Sequence, residues 1–368
     1  KKRNPDAKVA VIGCFAQLKP EELNLFEEVD LILGNNEKYQ LYDHLDKILR
    51  QSSFPKEKFL TSEILKSEKF FPAYSSGDRT RSFLKIQDGC DYFCAYCTIP
   101  LARGLSRSNS IAQTMETARE IAESDAKEII LTGVNIGDFG KQHQETLFAL
   151  MQELENLDGI ERIRLSSIEP DLLTDEMIAL IHVSNKFLPH FHIPLQSGSD
   201  EMLKVMNRKY DLALFDSRIK KISSLMPDAC IAADIIVGFP GETDEDFNIT
   251  AEYVKGAPLS YVHVFTYSSR PNTRASKMGG IIASSIKKER SKKLHVISKI
   301  KKQYFYHQNT GKTVDVLFES DHHDGSIQGW SENYIRVKVD FDKTLINKII
   351  QVKLEEIEQD QVFRGKIL

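Results

Sequence analysis

What this chain lacks narrows it first. No apolar run approaches the roughly 20 residues needed to cross a bilayer, and the opening KKRNPDAK has no apolar core of a secretory leader. Five cysteines in 368 residues, an odd number, exclude a disulfide framework and point to a reducing cytoplasm with no membrane partner. Neither sign of charge dominates. The 49 Lys and Arg against 53 Asp and Glu leave a net −4, which excludes a uniformly basic nucleic-acid coat but leaves room for a basic patch. With 41% apolar and 28% charged residues, the chain reads as a soluble globular protein of two or three domains. It starts at Lys1 rather than Met, from which we expect a preceding segment.

What is there is concentrated. Three of the five cysteines lie within the stretch IQDGCDYFCAYC (86–97), at positions 90, 94 and 97. This spacing brings three soft thiolates from one loop to one centre, which suits an iron–sulfur cluster or zinc. A structural zinc wants four ligands, and the next histidine is only His143. Three ligands therefore fit a cluster with one iron left open, although zinc stays open on spacing alone. The residues before the loop, SFLKIQDG (82–89), alternate as a strand does. Five further strand-like segments follow at 128–134, 162–167, 190–195, 230–238 and 261–268. Stretches such as TLFALMQELENL (146–157), with helical spacing, separate them. Six βα units predict an α/β fold with a parallel sheet curled as a partial or complete barrel, its chemistry at the C-terminal strand ends.

The flanks differ. Residues 1–50 repeat strand and helix, with Cys14 in a turn, and read as the tail of an α/β domain. Residues 51–80 lack periodicity and form a linker to the barrel at 81–284. A helix over 285–308 carries eight Lys and Arg between 287 and 302 against one Glu, with Leu294, Ile297 and Tyr304 on another face, so its basic side is expected outward. Short alternating strands over 309–368 predict a small β-barrel. Cys230 opens an apolar run and is expected to pack in the core; GFPGET (238–243) is expected to lead into a helix capped by Thr243, with Asp246 three residues on.

CDYFCAYC and TIPLARGLSRS (98–108), followed in order by SSIEPDLL, HIPLQSGSDEMLKVMNRKY, DIIVGFPGETDEDF and HVFTYSSRPNTRA, resemble the radical S-adenosylmethionine (SAM) methylthiotransferases from residue 8 onward. QDGC, ARGLSRS and SSIEP are most similar to the branch acting on N6-threonylcarbamoyladenosine beside the tRNA anticodon. The resemblance implies a [4Fe–4S] cluster on Cys90, Cys94 and Cys97, with SAM on the open iron as radical source and methyl donor. It implies methylthiolation at adenosine C2, with a prenylated adenosine or a ribosomal protein side chain as alternative targets. A non-catalytic RNA-binding protein holding zinc is the rival of another class.

The same resemblance assigns further residues. Tyr92 and Tyr96 would pack around the cluster, one of them near the SAM adenine, or serve only loop packing. Arg103 would contact SAM or close the cluster loop. Gly133, Val134 and Asn135 would offer backbone to SAM; Glu169 would accept from its ribose or amino group, or else sit at a helix N-terminus. Gln196 and Ser197 would line the site. GCFAQ, with Cys14, matches the last of three ligands of an auxiliary [4Fe–4S] cluster, the other two having no counterpart here. GWSENYIRVKV resembles a TRAM-like RNA-binding barrel, with Trp330 and Tyr334 stacking on bases and Arg336 and Lys338 meeting phosphates. The implied partners are a tRNA anticodon stem-loop, an electron donor such as flavodoxin or ferredoxin, and a sulfur source.

Overall fold

In this computed structural model, the structure describes residues 3–51, 58–75, 80–358 and 361–368. The N-terminal unit runs β1 (Ala10–Ile12), α1 (Cys14–Leu18), α2 (Pro20–Asn24), β2 (Leu31–Leu33), α3 (Leu41–Gln51) and β3 (Phe59–Leu60), and its three strands form one parallel sheet. β3 lies inside the stretch expected to be a linker. Two residues are too few to show a period, and pairing with β2 decides their state. The same correction holds for β4 (Ala73–Tyr74), which pairs antiparallel with β5 (Arg81–Lys85) and so belongs to the barrel. Positions 52–57 and 76–79 of the expected linker lie outside the described residues.

The central unit continues with β6 (Gln87–Asp88), α4 (Ile99–Arg103), β7 (Arg107–Ser108), α5 (Ile111–Ala122), β8 (Glu128–Thr132), α6 (Leu147–Glu155), β9 (Arg162–Leu165), α7 (Asp175–Val183), β10 (His190–His192), α8 (Asp200–Val205), α9 (Leu212–Leu225), β11 (Cys230–Val237), α10 (Asp244–Gly256) and β12 (Tyr261–Thr266). All six expected strands are present and parallel. They fall into two sheets, β5–β8–β9 and β10–β11–β12, joined by the bridges Ile163 to Phe187 and Ser167 to His192. Alternation along each strand divides the labour. Ile129, Leu131, Ile163, Leu165, Ile231, Ala233, Ile235 and Val237 pack outward against the helices in one large core. The alternate positions Glu128, Arg164, His192 and Asp234 turn to the lumen. A barrel built only for stability would fill that lumen with branched apolar side chains; this one is polar.

Helix starts follow local chemistry. Ser110 with Gln113, and Thr243 with Asp246 as expected, form capping boxes, while Thr174, Ser199 and Asp211 cap α7, α8 and α9. After α11 (Ser284–Asn309), the strands β13 (Thr313–His323), β14 (Ser326–Ser331), β15 (Arg336–Asp340), β16 (Ile349–Ile357) and β17 (Phe363–Ile367) close a small barrel in the order β13–β14–β15–β17–β16. It sits on the N-terminal ends of the six parallel strands, where Cys230 is buried against its core. On α11, Leu294 is buried and Ile297 packs inward as expected, but Tyr304 is exposed and Phe305 and Tyr306 take the buried positions. Nor does the basic face point wholly outward, since Arg290 is buried between Glu242 and Asp244. No described helix is long and apolar enough to cross a membrane.

Candidate active site

The cysteine loop leaves the C-terminal ends of the strands and is tied down at both sides. Gln87 is fully buried. Its Nε2 donates to Asp88 O, Gly89 O and Ser106 Oγ at 2.8–3.0 Å, and its Oε1 accepts from the backbone N–H of Val134 (3.0 Å) and Asn135 (2.8 Å). Gly89, at φ 74°, must be glycine, because a Cβ would stand 1.9 Å from Leu105 O. Farther along, Ala95 N donates to Met206 O (2.8 Å) and Asn207 Nδ2 to Phe93 O (3.1 Å).

Cys90, Cys94 and Cys97 are half-buried on this loop. Burial pushes the Cys90 thiol up to about 12 and raises the other two, partly offset at Cys94 by Arg208. A cation that takes such a thiol must displace its proton; burial raises the Cys230 thiol as well, so it is the grouping of three thiols on one loop that marks this place. Three thiols from one loop are one ligand short of the four that a structural zinc takes, and they are the donor set of a cluster that leaves one iron open. Elsewhere, His192, Asp234 and His263 bring their ligand atoms within 4.8 Å of one another.

Arg208 organises the mouth. Its side chain is 2% exposed and pairs with Glu169; it also donates to Cys94 Sγ (3.0 Å), Tyr96 Oη (3.3 Å) and Tyr210 Oη (3.1 Å). Burial pushes the Glu169 carboxyl up to about 7 despite this cation. Sequence reasoning missed Arg208, which lies in the quoted NRKY but carries no spacing signal. Tyr92 is buried and donates to Asp171 Oδ2. Two buried oxygens here, Asn135 Oδ1 and Asp171 Oδ1, have no hydrogen-bond partner among the described residues. Buried acceptors left open are costly unless a ligand fills them, and the amino and hydroxyl groups of SAM are donors of the kind they lack.

Other expected residues are placed differently. The N–H groups of Val134 and Asn135 are taken by Gln87, so that backbone does not donate to a ligand. A Cβ on Gly133 would lie 3.0 Å from Gln87 Oε1 and from Ile136 Cγ2. Gln196 is buried at φ 68° and bridges β11 through its backbone. The Ser197 hydroxyl turns outward to Thr250 on α10 (3.2 Å) rather than into the mouth. Arg103 pairs with Asp88 (3.0 Å) and so helps to close the loop, while Asn35 Nδ2 stands 3.7 Å from Cys14 Sγ and donates to Ala102 O. Through Asn35, and through α1 packing on α4, Cys14 is brought beside the cysteine loop.

In the lumen below, both nitrogens of His192 are engaged, Nδ1 with Ser167 Oγ (2.5 Å) and Nε2 with Asp234 Oδ1 (2.8 Å), and His263 stands edge-on to it. At the far end the two rings expected to stack on bases are engaged by protein groups. Tyr334 is sandwiched between His190 (4.2 Å) and Trp330 (4.4 Å) with Arg164 over its ring, and Trp330 lies between Tyr334, Arg81 and Arg336. Docking of the small barrel puts Tyr334 against His190 and Trp330 beside Arg81, contacts that a strand read by itself does not reveal. Lys338 is paired with Glu358, while Arg336 is exposed.

Residues 84–254 match the Radical SAM superfamily, which is the class that this loop and fold define. Over 363 residues the chain is 35% identical to the threonylcarbamoyladenosine tRNA methylthiotransferase MtaB of Bacillus subtilis, covering 96% of this chain and 79% of that one. The protein of the same name from Thermotoga maritima is 38% identical over 98% of this chain and 81% of its own. A tRNA-2-methylthio-N(6)-dimethylallyladenosine synthase of Jannaschia sp. is 34% identical over 96% of this chain and 77% of its own. The chain belongs to the radical SAM tRNA methylthiotransferases.

Proposed function

We propose that this chain methylthiolates C2 of N6-threonylcarbamoyladenosine in tRNA. The observation that carries this reading is the near full-length likeness to relatives named for that activity, joined to three thiols gathered at the mouth of a polar lumen. When bound, a [4Fe–4S] cluster with SAM supplies one-electron cleavage of SAM to start reaction at the C2–H. The chain's own residues do the rest. Cys90, Cys94 and Cys97 hold the cluster. Arg208 and Glu169 fix the ligand side of Cys94, and Asn135 and Asp171 offer acceptors to SAM. Gln87 and Arg103 hold the loop, and the covered lumen keeps water from the reacting carbon.

Cys14, carried to the loop by α1, would be one ligand of a second, sulfur-donating cluster, with residues 1–60 as part of the domain that holds it. The closing barrel would be TRAM-like and bind the anticodon stem-loop in the cytoplasm, with a flavodoxin- or ferredoxin-type reductant and a separate sulfur source. The test is anaerobic reconstitution followed by nucleoside mass analysis of RNAs bearing either threonylcarbamoyl- or dimethylallyladenosine. Methylthiolation of the first supports the proposal. Methylthiolation of the second alone would move the chain to the branch that the Jannaschia relative represents.

A further inference from the structure

A cavity of about 660 Å³ lies where β12, α11 and the β14–β15 hairpin meet. Among the described residues β12 pairs only with β11, so its other edge borders the open side of the barrel. Lys302, Lys299 and Arg336 line it, the last two exposed to solvent. Lys302 is half-buried, its Nζ 6.0 Å from the centre of the Tyr261 ring and 5.4 Å from that of Tyr306. Arg336, from the other domain, lies over Trp330 at 5.6 Å. Among the described residues neither makes an ion pair. The other inward cations of α11 differ: Arg290 has Glu242 and Asp244, Lys301 donates to the carbonyls of Lys255 and Ala257, and Lys287 to that of Tyr267. Burial lowers the Lys302 ammonium, against a smaller opposing pull from Cys230, and repulsion by Arg336 adds to the lowering. A half-buried ammonium with no anion beside it is poorly solvated, and the exposed guanidinium of Arg336 nearby adds a second donor for an arriving anion.

We propose that Lys302 and Arg336 seat the carboxylate of the substituent on the target adenosine, and so select a threonylcarbamoyl group over a prenyl one. This rests on the proposed substrate. A threonylcarbamoyl group ends in a carboxylate beside a hydroxyl, and the carboxylate can take charge-assisted hydrogen bonds from both cations. A prenyl group, all hydrocarbon, would desolvate both with no return. Cavity and lumen adjoin at His263, which lines the cavity and stands edge-on to His192. His263 lies three residues before Thr266, about 10 Å along the strand, beside the hydrogen-bonded His192 and Asp234, and Gln328 lines the cavity as a partner for the hydroxyl.

The test measures binding of the reconstituted chain to anticodon stem-loops with threonylcarbamoyladenosine or unmodified adenosine. Lys302→Met should weaken the modified RNA at least about tenfold and leave the unmodified one unchanged, and Lys302→Arg should restore the preference. Arg336→Met reads the same seat from the other domain should Lys302→Met not fold. Equal weakening of both RNAs would make this a phosphate contact and overturn the proposal, as would no change in either. A wild-type chain without preference for the modified RNA would overturn the substrate reading itself, and this seat with it.

Discussion

At the lower end of the six strands Arg81 meets Glu319, Arg162 donates to the carbonyls of Trp330 and Asp315, and Arg164 meets Glu128, so that polar groups are buried in pairs. At the upper end Asn135 and Asp171 keep buried oxygens without partners among the described residues, and three thiols are partly desolvated. Both ends expose the same strands' polar faces, yet one is closed by protein and the other is left for a ligand. The lower end has its exceptions among the described residues, one ring nitrogen of His190 and, on the docked barrel, Gln328 Oε1 and Asn347 Oδ1. Polarity in a lumen therefore does not locate a site; unmet hydrogen-bonding capacity does.

The comparison can be broken most sharply at the upper end. Cys94→Ala should abolish SAM cleavage by the reconstituted chain while leaving RNA affinity intact; equal loss of both would erase the division. At the lower end, Arg164→Met strands the fully buried Glu128 carboxylate and should cost about 3–5 kcal/mol in urea unfolding, and an unchanged midpoint would refute the structural role of that pair. Acid tests the loop's foundation. Burial would raise the Asp88 carboxyl, but Lys85 and Arg103 together hold it at about 2, below its ordinary 3.8. Its folded value is depressed, so its contribution of about 2 kcal/mol is present above pH 3.8 and lost as pH falls through 2. Unfolding measured from pH 5 to 2 should lose that slope in Asp88→Asn. The smallest effect is expected of Tyr334→Leu, which removes two stacked pairs worth about 1–2 kcal/mol in all. If it weakens RNA binding without lowering stability, the ring serves bases after all.

Much of this was legible beforehand because it is local. The period of two in strands, the capping residues Thr243 and Asp246, and the spacing of Cys90, Cys94 and Cys97 are properties of short segments. β3 and β4 were not legible, since two-residue strands have no period and exist only by pairing. Arg208 was not, because what makes it functional is its approach to Cys94 and Glu169 from residues over 35 positions away in sequence. The packing of Trp330 and Tyr334 was not legible for the converse reason, that an aromatic on an alternating strand looks free until another domain meets it.

The sequence by itself determined the six βα units, the thiolate loop and the family, since periodicity, turn chemistry and ligand spacing are written in consecutive residues. Only the tertiary structure decided which polar groups are spent and which remain. Burial and pairing depend on what the rest of the chain brings near: it locked Tyr334 onto His190, turned Ser197 away from the mouth, and left Lys302 and Arg336 facing a cavity with no anion of their own.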